Sequence, residues 1–406
     1  MDIIIIGGGA SGIFAAINLK KYNNNVRILE KNSRIGKKLL VTGNGRCNYS
    51  NINLSENNYN KPEFVKNAID SFSNTDLVNY FKMMGLYSCV ENNRIYPITL
   101  KANSVLSILM KKLSENNICI NTDTEVLSVS KEKDKFKLIT NNGEFYCHKL
   151  IVACGGSSMP KSGSDGSFFK ILKKLGHKVT PIFPALTQIK LESAYLKHLQ
   201  GTKVVGKVKL YSKEKLIIEK YGDLLFTSYG ISGPPILDIS VKLSEYNDLY
   251  IEMPLINYSD KIDKEEIFSS FYMFNDYSID EFLLGLVDKK FIHYILETLG
   301  IKSNTPLNFL EKYYSDIIDI LFNSKFYVKG TTGFENSQVT RGGVDISEVS
   351  PFDFSSKICD GLYIIGEALD VDGECGGYNL HFAFACAYTL SKNFNYERRQ
   401  YELFAK

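Results

Sequence analysis

The chain has 406 residues, 48 lysines and arginines against 45 aspartates and glutamates, a formal charge of +3, and eight cysteines. That length exceeds one ordinary hydrophobic core and implies two or three domains. The near-neutral balance excludes a strong field drawing the protein to nucleic acid or to an anionic membrane, so a small-molecule partner is the default.

No apolar run approaches the length of a membrane span, and the N-terminal "MDIIII" lacks the basic region and length of a signal peptide. The cysteines form no CxxC pair, which argues against a zinc ribbon or disulfide framework and fits reduced thiols. A cytoplasmic protein without a metal site is expected.

Residues 2–6, "DIIII", read as a strand buried on both faces of a parallel sheet. The strand stops at "GGGASG", which places Gly7, Gly9 and Gly12 at G-x-G-x-x-G spacing around Ala10 and Ser11, before the helical pattern "IFAAINLKKY". Such glycines permit a tight turn, close approach of backbone to a pyrophosphate and close packing of helix on strand. The helix N-terminus adds unpaired N–H donors. A second strand, "VRILE", ends at Glu30, where a carboxylate is expected to hold the adenosine ribose. An acid here repels a 2′-phosphate, so the nucleotide expected at this turn is FAD or NAD and not NADP.

The loop "TGNGRCN", residues 42–48, carries Gly43, Asn44, Gly45, Arg46, Cys47 and Asn48 and suits neither helix nor strand. Residues 52–80 read as a loop with short helices, and 102–113 as an amphipathic helix. From 118 to 154 the pattern is β, with a hairpin turn at Asn142-Gly143 and with Val126 in the part expected to pass the adenine. The strand "KLIVAC" then runs into a second glycine-rich loop, "GGSSMPKSGSDG", as though the chain returns to the same cofactor.

Residues 185–255 alternate as strands and 259–322 repeat helical spacing, while from about 340 the first domain resumes, with a strand ending in Gly366-Glu367 and a helix after "GECGGYN". The expected fold is α/β: a discontinuous Rossmann-like FAD-binding domain (1–184 and 341–406), an inserted β-rich substrate domain (185–258 and 323–340) and a small helical domain (259–322).

In order along the chain, "GGGASGIFAAI", "GKKLLVTGNGRCN", "CGGSSMPKSGSDG", "LLFTSYGISGPPIL" and "GLYIIGEALDVDGECGGYNLHFAFACA" resemble a bacterial family of FAD-dependent oxidoreductases. That family includes aminoacetone oxidase and the bile-acid dehydro-steroid reductase. The resemblance implies a flavoprotein of the two-dinucleotide-binding-domain type, with Gly7, Gly9 and Gly12 at the FAD pyrophosphate and Glu30 on its ribose. It implies further that Lys31 lies near the adenosine, Val126 meets the adenine through its backbone, and the 43–48 loop wraps the flavin. Gly155 would end the strand passing the dinucleotide, Gly366 and Glu367 would meet the ribityl chain, and Asn379 and Leu380 would open the helix facing the flavin pyrimidine edge. Ser228 stands where the family commonly has a histidine, which removes one proton donor.

Two side chains are candidates for chemistry: Arg46, to stabilise an anionic substrate or the flavin, and Tyr378, as a proton donor to carbon. A surface or phosphate-pairing arginine and a core tyrosine are the plainer readings. Cys47 has no partner cysteine, and a capping role for His381 is the plainer alternative to sensing flavin charge. The function expected is reduction of an activated C=C bond in a small organic substrate, with NADH or NADPH as electron donor. Amine oxidation by O₂ is the alternative within the class, and a flavin-binding RNA-modifying or regulatory protein the alternative outside it.

Overall fold

The computed structural model describes residues 1–22 and 24–404, in two compact units, one of residues 1–184 with 337 onward and one of residues 185–336. In the first, five parallel strands lie in the order Leu362–Ile364, Lys149–Val152, Asp2–Ile6, Asn25–Leu29, Cys119–Asn121. Ile3 to Ile6 are all buried, as the unbroken β-branched run requires of a central strand covered on both faces. The helix Ala10–Lys20 packs on the long helix Tyr378–Phe404 through Phe14 against Phe384, at 5.1 Å between ring centroids.

Two three-stranded antiparallel sheets and a two-stranded sheet of Phe183–Ala185 with Val339–Arg341 accompany the parallel sheet. One of the three-stranded sheets is the meander Val126–Glu132, Lys135–Thr140 and Gly143–Cys147, whose Phe136 and Leu138 join the main core. The other sets Arg94–Pro97 between Ser50–Asn51 and Ser88–Glu91. This is a parallel Rossmann-type sheet interrupted in sequence, as expected.

The second unit is a closed antiparallel barrel in the order Ile189–Glu192, Gly230–Ser232, Lys215–Thr227, Lys203–Ser212, Leu249–Met253, Ser324–Thr331. The helices Lys264–Met273, Ile279–Leu284, Lys289–Leu299 and Tyr314–Asn323 bury their apolar stripes in the barrel's own core, where Phe226 meets Phe291 and Phe326. The segment expected to be a separate helical domain therefore shares one core with the barrel, and by contact the insertion is one unit. Helices this short are not stable in isolation, and an amphipathic face must bury itself against something.

Candidate functional site

The strand Asp2–Ile6 ends at Gly7, where φ is +103° and a Cβ would lie 2.4 Å from the Ala153 carbonyl oxygen. At Gly12 a Cβ would lie 2.0 Å from the Gly7 oxygen. These two glycines let strand, helix and neighbouring strand close on one another. Gly9 is different: its backbone is extended, with φ −86°, and a Cβ there would meet nothing within 4 Å. Gly9 caps the helix Ala10–Lys20 without a side-chain hydrogen bond, so the first-turn N–H groups of Ala10, Ser11 and Gly12 have neither an intrahelical acceptor nor a side-chain cap. An open, donor-lined helix terminus fits a pyrophosphate.

Glu30, buried at the end of the next strand, is locked in place by three donors. Its Oε2 accepts from the Gly8 N–H at 2.9 Å, and its Oε1 accepts from the Asn32 N–H at 2.8 Å and the Asn32 Nδ2 at 2.7 Å. The Thr124 N–H donates to the Glu30 carbonyl at 2.9 Å, which brings the start of the Val126 strand alongside. From the other direction the 155–167 loop arrives: Lys31 Nζ lies 2.7 Å from Asp165, and Asn32 Nδ2 donates to the Ser162 carbonyl at 3.1 Å. Gly155 takes φ +74°, and a Cβ there would press on Ser164 Oγ at 2.9 Å. The hydroxyls of Ser162 and Ser164 are buried without a hydrogen-bond partner among the described residues, as groups waiting on a polar ligand would be.

The third return of the chain lands on the same turn. At Gly366, φ +70°, a Cβ would lie 2.7 Å from Ser11 Oγ. Glu367 holds Lys38 Nζ at 2.5 Å through Oε2, while its Oε1 accepts from Ser158 Oγ at 2.6 Å and from the Thr340 N–H at 2.9 Å. Lys38 Nζ also donates to Ser158 Oγ. One carboxylate thus ties three loops of the first unit together, and Lys38, Ser158 and Thr340 carried no sequence signal because each is remote from Glu367 along the chain.

In the 42–48 loop Asn44 and Cys47 adopt positive φ alongside Gly43 and Gly45. Arg46 pairs with Glu91 and stacks over the Tyr96 ring, 4.4 Å from its centroid, and Glu91 holds the guanidinium firmly protonated. The Cys47 thiol is buried and pushed up to about 12, so it is no thiolate at neutral pH. Asn48 Oδ1 is buried without a partner among the described residues and lies 2.6 Å from where a Cβ on Gly377 would be. A lone buried acceptor suits an N–H of a flavin ring.

Facing this loop, Asn379 spends its side chain on the 373–374 backbone, accepting from the Gly373 N–H at 2.8 Å and donating to the Gly373 carbonyl at 2.8 Å. That leaves the N–H groups of Asn379 and Leu380 in the first turn of the long helix. Tyr378 is 7 % exposed, with its ring against Gly376 and Tyr59, the packing position of a core residue.

His381 is fully buried. Its Nε2 must donate to the Phe72 carbonyl, 3.0 Å away, so its Nδ1 accepts from the Ser50 hydroxyl at 2.9 Å. Burial lowers its pKa from 6.5 to about 4. The unfolded chain therefore binds a proton that the native state refuses between pH 6.5 and 4, and stability falls as pH drops through that window. We expect a loss of roughly 3 kcal/mol from this residue at pH 4, read by urea unfolding, and its absence in His381→Gln.

Comparison with known proteins agrees with this arrangement. The family model described as the HI0933-like protein Rossmann domain matches residues 1–393. A 3-dehydro-bile acid delta(4,6)-reductase of Clostridium scindens is 34% identical over 96% of this chain and 97% of its own length. Ribosomal RNA dihydrouridine synthases of Haemophilus influenzae and Escherichia coli are 30% and 29% identical, over 96% and 97% of this chain and 98% and 97% of their own. In fold the chain is similar to the solved 3-ketosteroid delta1-dehydrogenase of Sterolibacterium denitrificans, with a TM-score of 0.51, 11% identity and coverage of 98% of this chain and 99% of that one. No helix among the described residues is long and apolar enough to cross a membrane. With three glycine-rich returns converging on one dinucleotide turn and a match that runs nearly the whole chain, the protein belongs to the HI0933-like Rossmann-domain family and is a FAD-dependent oxidoreductase.

Proposed function

We propose that this protein reduces a C=C bond conjugated to a carbonyl group in a small molecule, with NADH or NADPH supplying the electrons. The observation that carries this reading is a reaction shared by relatives with unlike substrates. A 3-dehydro-bile acid presents its 4,6-diene in conjugation with the 3-oxo group, and a dihydrouridine is a uridine whose ring C=C, conjugated to a carbonyl, has been saturated. What persists across relatives spanning the chain is conjugate reduction.

Within this reading Gly7, Gly9, Ala10, Ser11 and Gly12 hold the FAD pyrophosphate, Glu30 the ribose, and Lys31 and Val126 the adenosine end. Residues 43–48, Gly155, Gly366, Glu367, Asn379 and Leu380 surround the ribityl chain and flavin. When bound, FAD supplies the hydride that the chain's own residues cannot. The first-turn N–H groups at Asn379 and Leu380 favour negative charge at that end of the site. Arg46, matched by Glu91, serves as a clamp on the loop, and Tyr378 stays a candidate proton donor. The eight free cysteines suit a reducing compartment such as the cytoplasm.

A uridine in RNA is the second reading, favoured by the two dihydrouridine synthases. Against it stand the low net charge and a second unit, 185–336, without a single arginine. Anaerobic addition of NADH or NADPH to the holoprotein is expected to bleach the flavin. Bleaching by neither nucleotide, or steady turnover of an amine with O₂, would overturn the proposed electron donor and reaction.

A further inference from the structure

We propose that Arg94 binds the carbonyl oxygen of the substrate and carries the negative charge that gathers on it during reduction. This assignment rests on the conjugate-reduction reading and adds to it the residue that activates the C=C bond. Arg94 opens the strand Arg94–Pro97, paired with Ser50–Asn51, and its half-buried side chain crosses to the 373–377 loop, where Nη2 lies 3.9 Å from Cys375 Sγ. Alongside it, Asn51 donates to the Gly376 carbonyl at 2.9 Å, and Gly377 closes against the Ser50 carbonyl and Asn48 Oδ1. Arg94 thus stands where the loop expected to wrap the flavin meets the N-terminus of the helix expected to face it.

Charge matching favours it. Lys37 donates to the Asn32 amide oxygen at 2.8 Å, and four further cations nearby each have a carboxylate: Arg46 has Glu91, Lys38 has Glu367, Lys61 has Asp370 at 3.5 Å and Arg341 has Asp372 at 3.5 Å. Among the described residues Arg94 has none, and its partner is a thiol, a poor acceptor. A guanidinium held against a soft, weak acceptor retains most of its hydrogen-bonding capacity for a ligand.

The chemistry balances. A hydride delivered to the β-carbon brings two electrons, the π pair moves toward the carbonyl, and the oxygen becomes an enolate oxyanion beside Arg94. A proton from water then adds to the α-carbon, leaving hydroxide to the solvent, and the carbonyl re-forms. The flavin is the species oxidised and the C=C bond the one reduced. A fixed cation aimed at the oxygen stabilises the charge that develops, a contribution of about 10²-fold or more for one such donor.

A phenolate is a stable mimic of the enolate and can be read without turnover. We would titrate oxidised holoprotein with 4-chlorophenol and follow the flavin absorbance. Arg94→Gln is expected to weaken the phenolate by at least about tenfold with flavin content and melting temperature unchanged. Arg94→Lys, which keeps the charge but loses the planar fork, is expected to weaken it by about threefold or more, and it decides the matter should the glutamine variant fail to fold. Equal dissociation constants in wild type and variants, or no phenolate binding in wild type, overturn the assignment. The reductase reading is judged separately, by whether an enone reoxidises the reduced wild-type flavin.

Discussion

Gly12→Ala is expected to destabilise the protein by about 3 kcal/mol or more, while Gly9→Ala folds as well as wild type and fails to hold FAD. A methyl on Gly12 would sit 2.0 Å from the Gly7 carbonyl oxygen, and Gly7 has little room to retreat, since its Ala153 side is so close that a Cβ there would lie 2.4 Å from the Ala153 carbonyl oxygen. Strand, helix and next strand would all have to separate. At Gly9 the same methyl has no heavy atom within 4 Å and a backbone conformation open to any residue. Its only obstacle is whatever occupies the helix N-terminus. Melting of the apoproteins and the flavin-to-protein absorbance ratio separate the two effects. If Gly9→Ala retains wild-type FAD affinity, the pyrophosphate does not lie on this turn.

Glu367→Ala should be the most damaging change to the carboxylates, costing about 2–4 kcal/mol of stability in urea unfolding. It strands Lys38 without a counter-charge, leaves the Thr340 N–H without its acceptor and removes one of the bonds that hold Ser158, so three loops lose their common anchor. Glu367 and Lys38 are each about a fifth exposed, which softens the penalty relative to a fully buried pair. Glu367→Gln keeps an amide oxygen for Thr340 and should recover about half of the loss. Equal stability of Glu367→Ala and wild type would contradict the hub role.

The strand, turn, helix and strand that open the chain were legible because they are local. Gly7, Gly9, Gly12 and Glu30 lie within the first 30 residues, at the spacing expected of a dinucleotide turn. The 42–48 loop was legible for a related reason: Gly43, Asn44 and Gly45 announce a backbone that takes positive φ. What stayed hidden depends on partners distant in sequence. Nothing near Glu367 points to Lys38, and nothing in "NNRIYP" marks Arg94 as an unmatched cation, because matching is a property of the folded neighbourhood. The neutrality of His381 follows from its complete burial, a property of the folded neighbourhood that sequence spacing cannot supply. Helical periodicity at 264–323 was readable, but the surface that its apolar stripes meet was not, and that surface is the barrel's own core.

Conjugate reduction by a flavin seated on these loops is open to direct measurement. Its most direct test is to reduce the holoprotein with dithionite, remove excess reductant, and mix it anaerobically with a 4-en-3-one steroid in one experiment and a uridine-containing RNA in another. The steroid is expected to restore the oxidised flavin spectrum and to be recovered two hydrogens heavier, one molecule per flavin. Reoxidation by the RNA alone would move the substrate to a uridine in RNA. A flavin that neither acceptor reoxidises, but that O₂ does, would rule out conjugate reduction.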